Sequence, residues 1–203
     1  MTVLHLFSSE PSGNCYKVRL ILAHLEIPYE LTEVDVFRGG ERPAGLSQQN
    51  PLNKVPMLVF DDGRCLPESN AILWHFAAGT EYLPEDRHEI SQVLRWMFFE
   101  QNIHESAIAV NRFMIAYAKV AERHPEVIRF NHRRGVLALE AMQAHLGQHD
   151  FFAAGRFTIA DIALYAYTHV AEEGNFDLSP YPAIGSWMEH VRGQPGHVAM
   201  RGL

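Results

Sequence analysis

Three short segments in the N-terminal half of the chain carry side chains suited to binding a charged ligand. The first is Ser12-Gly13-Asn14-Cys15, which lies between an apolar stretch and an amphipathic one. A helix that begins here would aim unpaired backbone N–H groups and the positive end of its dipole at one point, beside the Ser12 hydroxyl and the Asn14 amide. That arrangement suits an anion, although either side chain could instead serve only as a helix cap.

The second segment, residues 50–56, reads Asn-Pro-Leu-Asn-Lys-Val-Pro and ends where an apolar run begins. A trans Pro56 would simply be a tolerated first residue of a strand, and the trans form is the more frequent one before proline. A cis Val55–Pro56 bond would instead leave the Val55 N–H and C=O unpaired at a surface, where an extended peptide could pair with them. The local sequence favours the trans form.

The third segment places Glu68 and Ser69 just before an apolar helical stretch. A carboxylate beside an open helix N-terminus could hold the ammonium of an amino acid, while the Ser69 hydroxyl and backbone N–H hold its carboxylate. The alternative is an exposed glutamate that precedes an N-cap serine. Taken singly, none of the three segments defines a ligand.

The elements around these segments follow from the spacing of apolar residues. The spacing predicts strands at residues 3–7 and 29–35, a hairpin of strands 56–60 and 64–66 around Asp61-Asp62-Gly63, and helices at 14–25 and 69–78. Ser69 is the expected N-cap of the last helix. Residues 37–53, rich in turn-forming residues, are predicted to be a loop with one irregular helix. The order βαβαββα describes a mixed α/β domain over residues 1–78.

The remainder of the chain is predicted to be helical. Residues 79–88 carry the chain breakers and charges of a linker. From Glu89 onward, apolar residues recur at helical spacing, as in the run that contains Val136 and Leu139. Thr158 and Asp161 have the spacing of a capping box in front of another apolar helix. Residues 89–203 are therefore expected to form an all-α domain.

Composition narrows the class of protein. The 203 residues include 17 basic and 24 acidic ones, and the formal charge of −7 argues against a nucleic-acid partner. No stretch approaches the roughly 18 apolar residues of a membrane span, and the first residues lack the pattern of a secretory signal. Cys15 and Cys65 make no disulfide framework in a chain of this length, so free thiols in a reducing compartment are expected. These features predict a cytoplasmic protein.

The three segments at these separations, followed by an all-helical half, resemble the cytosolic glutathione transferase family over essentially the whole chain. The run from Trp96 to Gln101, followed by His104, Glu105 and Arg112, is similar to a bacterial branch of that family with a Ser/Asn-type site. Many such bacterial members have proline where this chain has Ser106, a difference that bears on the bend of the fourth helix. The resemblance implies a thioredoxin-like first domain that binds glutathione.

At the thiol end, the resemblance assigns two catalytic residues. Ser12 would hydrogen-bond the glutathione sulfur, and Asn14 would be a second contact to the thiol. The form of the family that uses a catalytic tyrosine is not expected, because Phe7 stands at the edge of the first strand. Hydrogen bonds and a helix dipole would stabilise the thiolate enough that no dedicated base is needed. The thiolate would then react with an electrophile held against the helical domain.

Along the peptide, the resemblance implies further contacts. Lys54 would meet the glycine carboxylate. Val55, held by a cis bond to Pro56 against the local preference, would pair with the cysteinyl backbone. Glu68 and Ser69 would bind the γ-glutamyl end. Glutathione is thus the expected cosubstrate, and no metal is expected, because the closely spaced pair His145 and His149 lies on a predicted polar, solvated helix end.

Other activities on the same site stay open. Ser12 and Cys15 have the spacing of a redox Cys-x-x-Cys whose first cysteine is replaced, so glutathione-dependent disulfide reduction or peroxide reduction is an alternative. Cys15 itself is expected to pack inside the fold. A regulatory or binding module without catalysis is a third hypothesis, disfavoured by the intact set of candidate residues. An isomerase of maleyl compounds is also disfavoured, because its Ser-Ser-Cys-Ser run is replaced by residues 12–15.

The resemblance further implies a homodimer with two-fold symmetry, in which each site lies near the seam between one chain's first domain and the other chain's second. A buried γ-glutamyl ammonium held by Glu68 alone would be poorly compensated. Glu100, Gln101 and Glu105, on a predicted long helix, could reach it from the partner. They could equally form a solvated helix face.

Overall fold

The computed structural model describes residues 4–36, 40 and 42–200. The predicted strand residue Val3 and residues 37–39 and 41 of the predicted loop lie outside the described residues. The chain divides into two compact units, one of residues 1–78 with 195–203 and one of residues 79–194. The segment 79–88 therefore groups with the helical unit, and the segment 195–200 groups with the first unit.

The first unit is a four-stranded mixed sheet with helices. Its elements are β1 (Leu4–Ser8), α1 (Gly13–His24), β2 (Tyr29–Glu33), α2 (Ala44–Gln49), β3 (Met57–Val59), β4 (Cys65–Pro67) and α3 (Ser69–Ala77). The strands lie in the order β2-β1-β3-β4, with β1 parallel to β2 and β3 antiparallel to both of its neighbours. This order confirms the predicted thioredoxin-like α/β class.

One face of this sheet packs on the loop that leads into β3. Phe7, Val34, Leu46 and Met57 form a buried apolar cluster, with Val55 packed against it. Leu46 belongs to α2, so the irregular helix predicted within residues 37–53 forms because it can bury this side chain. The loop that carries the second candidate segment is therefore fixed to the core.

The last described residues of the chain are bound to α1. The Tyr16 hydroxyl donates to the Val198 carbonyl at 2.7 Å, and Arg19 Nη2 donates to the Met200 carbonyl at 2.7 Å. Met200 is buried, with 5% of its surface exposed. Residues 195–200 thus help to hold the helix whose N-terminus carries Ser12, although no local pattern in this segment predicted that role.

The second unit is helical, as predicted. It contains α4 (Arg87–Phe99), α5 (Ser106–Arg112), α6 (Pro125–Leu146), α7 (Ile159–Thr168) and α8 (Pro182–Arg192), with short 3₁₀ turns at Ala121–Arg123 and Ala171–Gly174. π-helical turns at Glu100–Glu105 and Phe113–Tyr117 follow α4 and α5. The first π turn leads directly into Ser106, whose hydroxyl donates to the Asn102 carbonyl at 2.7 Å. The structure thus has a π turn at the position where the sequence indicated a local difference in helix bend.

The predicted capping box at the start of α7 is confirmed and extends into a buried network. The Asp161 carboxylate accepts hydrogen bonds from the Thr158 N–H and hydroxyl, the Phe152 N–H and the Trp187 indole N–H, at 2.9–3.1 Å. Burial raises the pKa of Asp161 to about 6. The hydrogen bonds favour the charged form and lower the pKa, but their effect is smaller than that of burial. The Asp161 side chain therefore links α7 to α8 through Trp187, and links α7 to the segment before it through Phe152 and Thr158.

The prediction of a solvated helix end for His145 was wrong. Its ring is half-buried, with the centroid 4.8 Å from the Trp96 ring and 5.5 Å from the Phe152 ring. Burial, which disfavours the imidazolium, lowers the pKa of His145. Its neighbour His149 is exposed and stacks on it at 4.5 Å between centroids. Within residues 4–36, 40 and 42–200, no group of three or more metal-binding side chains is found.

Candidate functional site

The sheet register brings the three candidate segments to one edge. Phe7, near the end of β1, pairs with Met57 at the start of β3, and Met57 also pairs with Pro67 at the end of β4. Because β3 is antiparallel to both strands, the chain leaves β1, enters β3 and leaves β4 at the same edge. The turn to Ser12, the Val55–Pro56 bond and the Glu68–Ser69 pair flank these paired residues. Three segments that are distant in sequence are thus neighbours in space.

Ser12 is the N-cap of α1, a role that does not use its hydroxyl proton. Its side-chain oxygen accepts the Cys15 N–H at 3.3 Å, and its carbonyl accepts the Tyr16 N–H at 2.9 Å. A serine hydroxyl has two acceptor lone pairs and one donor, so capping uses the oxygen without using the proton. Ser12 therefore combines the capping role with the ability to donate to an anion beside the first N–H groups of the helix.

Cys15 is buried behind this turn, which confirms its predicted interior position. Its sulfur has no exposed surface and accepts the Ser9 N–H at 3.2 Å. Burial raises the pKa of the Cys15 thiol, so the thiol stays protonated near neutral pH. A protonated, inaccessible thiol is a poor nucleophile. Cys15 and Cys65 are both free cysteines, as expected.

If the chain carries out the glutathione conjugation that the resemblance implies, Cys15→Ser should keep the rate within about threefold of wild type, because serine keeps an acceptor for the Ser9 N–H. Some stability should be lost, since a more polar group enters the core. Steady-state rates with a thermal unfolding curve check this, with Cys65→Ser as the control for a half-buried thiol. Loss of activity in a folded Cys15→Ser protein would instead assign the thiol a redox role.

The second segment has the cis Val55–Pro56 bond that the resemblance implied, and not the trans form favoured by the local sequence. The Asn50 side chain holds the preceding turn: its amide donates to the Lys54 carbonyl at 2.9 Å, and its oxygen accepts the Leu52 N–H at 3.2 Å. β3 begins only at Met57, so Val55 lies outside the strand. Lys54 is exposed at the surface. The positioning role of Asn50 was not predicted, although Asn-Pro is a turn signal.

At the third segment, the prediction of Ser69 as N-cap was wrong. The cap is Glu68, in the left-handed region with φ of 71°, and Ser69 is the first residue of α3. The Ser69 hydroxyl instead makes a long-range hydrogen bond, donating to Asn14 Oδ1 at 3.0 Å. Strained backbone of the kind seen at Glu68 costs roughly 1–3 kcal/mol and clusters at functional sites. Glu68 is exposed, and Ser69 is buried.

The three residues proposed to reach a partner chain, Glu100, Gln101 and Glu105, differ in exposure. Glu100 has no exposed surface in its own chain, so it is not presented to a partner, contrary to expectation. Gln101 is exposed and donates to Glu100 at 2.9 Å and to Glu105 at 2.6 Å. Arg112, buried, pairs with Glu173 at 2.9 Å. Glu100 follows Met97 by three positions and Val93 by seven, so it continues the buried face of α4.

The fold agrees with comparisons to known proteins. Residues 11–78 match the family model described as glutathione S-transferase, N-terminal domain, and residues 114–195 match glutathione S-transferase, C-terminal domain. A glutathione S-transferase of Pseudomonas fluorescens Pf-5 is 44% identical, covers 98% of each chain and superposes with a TM-score of 0.93. One from Xanthobacter autotrophicus Py2 is 39% identical, covering 97% of this chain and 96% of that one, with a TM-score of 0.92.

The chain therefore belongs to the glutathione S-transferase family. It is also similar to a protein of another stated activity, the disulfide-bond oxidoreductase YfcG of Escherichia coli K12. That protein is 28% identical over 201 residues, which cover 91% of this chain and 88% of YfcG. Among the residues described, no helix is both long and apolar enough to cross a membrane.

Proposed function

We propose that this chain is a glutathione transferase that conjugates the sulfur of glutathione to an electrophilic small molecule. The observation that carries the proposal is the convergence of the three segments at one sheet edge, with a capping hydroxyl that keeps its proton. Family membership supports glutathione as the cosubstrate. The catalytic residues are Ser12 and Asn14.

Glutathione would lie across this edge with each of its charged ends at a matching group. Lys54 would bind the glycine carboxylate, and the backbone of Val55, which lies outside β3, would pair with the cysteinyl residue. Glu68 would bind the γ-glutamyl ammonium, next to Ser69 at the start of α3. This assignment leaves the thiol at Ser12, where helix α1 begins.

The reaction needs a thiolate near neutral pH. A thiol of pKa about 8.5 requires about 2.7 kcal/mol for a downward shift of two units. A hydrogen bond to a charged group contributes about 1.5–3 kcal/mol, and a helix N-terminus adds about 0.3–2 kcal/mol. The proton passes to solvent. The thiolate sulfur then forms a bond to an electrophilic carbon, and the leaving group departs with its electron pair. Stabilisation of the anion is thus large enough without a base.

Two measurements test the proposed function. Calorimetry should detect glutathione binding at or below millimolar concentration, and an aryl halide activated by nitro groups should be converted to its glutathione conjugate faster than without protein. Oxidised glutathione and cysteine serve as ligand controls. Absence of glutathione binding at millimolar concentration would favour the hypothesis of a regulatory module with a different ligand.

Disulfide reduction is a second candidate, favoured by the similarity to the Escherichia coli oxidoreductase. The same bound thiolate would attack a disulfide sulfur, form a mixed disulfide and release the other thiolate, and a second glutathione would complete the exchange. The buried Cys15 is not needed for this route. Reduction of a model disulfide at a rate above that of conjugation would identify it as the main activity.

We also propose that the protein is a cytoplasmic homodimer that acts in detoxification. Two-fold pairing is common for soluble proteins of this size, and the two free cysteines fit a reducing compartment. Of the residues suggested to reach a partner's site, Gln101 and Glu105 stay candidates, since neither is fully buried.

A further inference from the structure

One arginine of α1 bridges the turn before Ser12 and the C-terminal segment. Arg19 Nη2 donates to the Glu10 carbonyl at 2.9 Å and to the Met200 carbonyl at 2.7 Å. Glu10 lies two positions before Ser12, Met200 is buried, and both belong to the same compact unit as Arg19. Arg19 therefore connects the last described residues of the chain with the backbone that leads into Ser12.

The geometry of an α-helix explains how Arg19 reaches this turn. Arg19 follows Ser12 by seven positions, about two helical turns, so both lie on the same side of α1. Side chains of a helix tilt toward its N-terminus, and the long arginine side chain ends in several N–H donors. The Nη2 group carries two hydrogens and can bond to two carbonyls at once. Because both bonds come from one nitrogen, a displacement of either carbonyl disturbs the bond to the other.

Bonds from β2 and α1 hold Glu10 in this turn. Its N–H donates to Glu33 Oε1, at the end of β2, at 2.7 Å, while its carbonyl accepts from Arg19. The Ser12 N–H in turn donates to the Ser9 carbonyl at 3.0 Å, which closes the turn around Glu10. A group that donates to a reacting atom must be held to within about 0.5 Å, and neighbouring hydrogen bonds supply that support. The position of the Ser12 hydroxyl therefore depends on the bonds that hold Glu10.

The C-terminal segment, residues 195–200, lies along the same helix. A hydrogen bond of 2.7 Å joins the Pro195 carbonyl to His24 Nδ1, at the end of α1. The Val198 carbonyl accepts the Tyr16 hydroxyl at 2.7 Å, in the first turns of the helix. The segment is thus bound to both ends of α1.

Gly196 sets how closely this segment approaches the helix. Its φ is 80°, in the region that favours glycine, and a Cβ at this position would lie 3.1 Å from the His24 Cα atom. The backbone of a helix cannot yield as a flexible side chain can. An alanine here should therefore push the segment away from α1 and draw the Met200 carbonyl from Arg19.

We propose that Arg19 is a positioning residue for thiol activation, through which the C-terminal segment controls the placement of the Ser12 hydroxyl at the glutathione sulfur. This inference rests on the proposed function. With both carbonyls bonded, the guanidinium holds the turn in place and Ser12 donates at full strength. When the segment is displaced or the guanidinium is removed, the turn loses support and the thiolate is stabilised less. The reactivity of the site thus responds to whatever moves the C-terminal segment.

A double-mutant cycle tests this coupling. The pKa of the bound glutathione thiol is measured from the ultraviolet absorbance of the thiolate in four proteins: wild type, Arg19→Met, Gly196→Ala and the double variant. Each single variant should raise this pKa by about half a unit, which leaves about threefold less thiolate at a pH below the pKa. In the Arg19→Met background, Gly196→Ala should cause no further shift. Gly196→Ala keeps the charge of Arg19, so its effect separates positioning from the direct attraction between a cation and the thiolate.

Binding of a thioether separates positioning from general damage to the site. S-methylglutathione has the peptide of glutathione but no ionisable thiol, so its affinity should stay within about twofold in all four proteins. A parallel loss of this affinity would show that the variants disrupt the whole site. Absence of a shift in Arg19→Met, a shift in Arg19→Met with none in Gly196→Ala, or additive shifts in the double variant would also overturn the inference.

Matched controls lie in the turn between β3 and β4, at the opposite end of β3 from the proposed site. Arg64→Met removes an exposed arginine that pairs with Asp62 at 2.6 Å. Gly63→Ala adds a side chain at a φ of 82° where, among the described residues and apart from its chain neighbours, no atom lies within 4 Å. Neither change should move the thiol pKa. Thermal unfolding identifies variants that do not fold. If Gly196→Ala is one of them, Tyr16→Phe, which removes a hydroxyl bonded to the C-terminal segment, takes its place.

The wild-type protein distinguishes the two levels of failure. If it does not bind glutathione, or binds it without lowering the thiol pKa, the proposed function is wrong. If it does both and the cycle shows no coupling, only the role of Arg19 is wrong.

Discussion

Replacing Ser12 by alanine is expected to slow conjugation at neutral pH by about 10–100-fold, while the affinity for glutathione changes by less than about threefold. In the proposed complex the hydroxyl donates to the thiolate, and a hydrogen bond to a charged partner is worth about 1.5–3 kcal/mol. In the proposed complex, most contacts that hold the tripeptide lie elsewhere, at Lys54, Val55 and Glu68. Steady-state kinetics over a range of pH, together with calorimetry, give both quantities.

The pH profile distinguishes this explanation from loss of structure. Above the pKa of the free thiol, glutathione ionises without assistance, so the deficit of Ser12→Ala should shrink as the pH rises. Ser12→Thr keeps the hydroxyl and the helix cap and should stay close to wild type. A full rate in Ser12→Ala, with a large loss in Asn14→Ala, would make Asn14 the principal donor.

Replacing Asp161 by asparagine is expected to lower the free energy of unfolding by about 2–5 kcal/mol. The carboxylate accepts four hydrogen bonds from buried donors of Thr158, Phe152 and Trp187. An amide has only one oxygen, so its NH₂ group must face donors that then lack a partner. Denaturant unfolding, followed by tryptophan fluorescence, measures the decrease in the free energy of unfolding.

Asp86→Asn is the matched control. Asp86 caps α4 at the surface, where its oxygen accepts the His88 and Glu89 N–H groups at 2.9 and 3.0 Å. Asparagine is as good an N-cap as aspartate, so this change should cost only a few tenths of a kcal/mol. Equal losses at positions 86 and 161 would contradict the account of the buried network.

The effect of Asp161→Asn should also depend on pH. The pKa of Asp161 is raised to about 6 in the folded protein, above the unfolded value near 3.9, so the folded chain binds this proton more tightly. The contribution of Asp161 is then full at low pH and decreases as the pH rises from about 4 to about 6. The difference in unfolding free energy between wild type and Asp161→Asn should therefore widen as the pH is lowered through this range.

Whether a feature could be predicted from the sequence depended on how far apart in the chain its residues lie. The strand and helix order, the Thr158 capping box and the interior position of Cys15 depend on residues close together in the chain, and the structure agrees with them. Ser69 was misassigned because its pattern is that of an N-cap, whereas the helix begins one residue earlier than this pattern predicts, with Glu68 as its cap. His145 was misassigned because the Trp96 ring that packs against it belongs to α4, which is distant in the sequence.

The cis bond before Pro56 illustrates a different limit. Local statistics favour the trans form, and only the combination of three segments with a helical second half indicated the cis form. No sequence pattern predicted the attachment of residues 195–200 to α1. The Tyr16 hydroxyl donates to the backbone carbonyl of Val198, and because every residue has such a carbonyl, the residue type gives no indication of the contact.

The most direct test of the central claim is the pKa of the glutathione thiol in the complex with the wild-type protein. Ultraviolet titration of the thiolate, at protein and ligand concentrations that ensure saturation, measures it against free glutathione in the same buffer. Stabilisation by Ser12, Asn14 and the N-terminus of α1 predicts a value about two units below the free thiol, near 6.5 on a reference of about 8.5. A bound thiol that titrates with the free one would show that this site holds glutathione without activating it, and would contradict the assignment as a transferase.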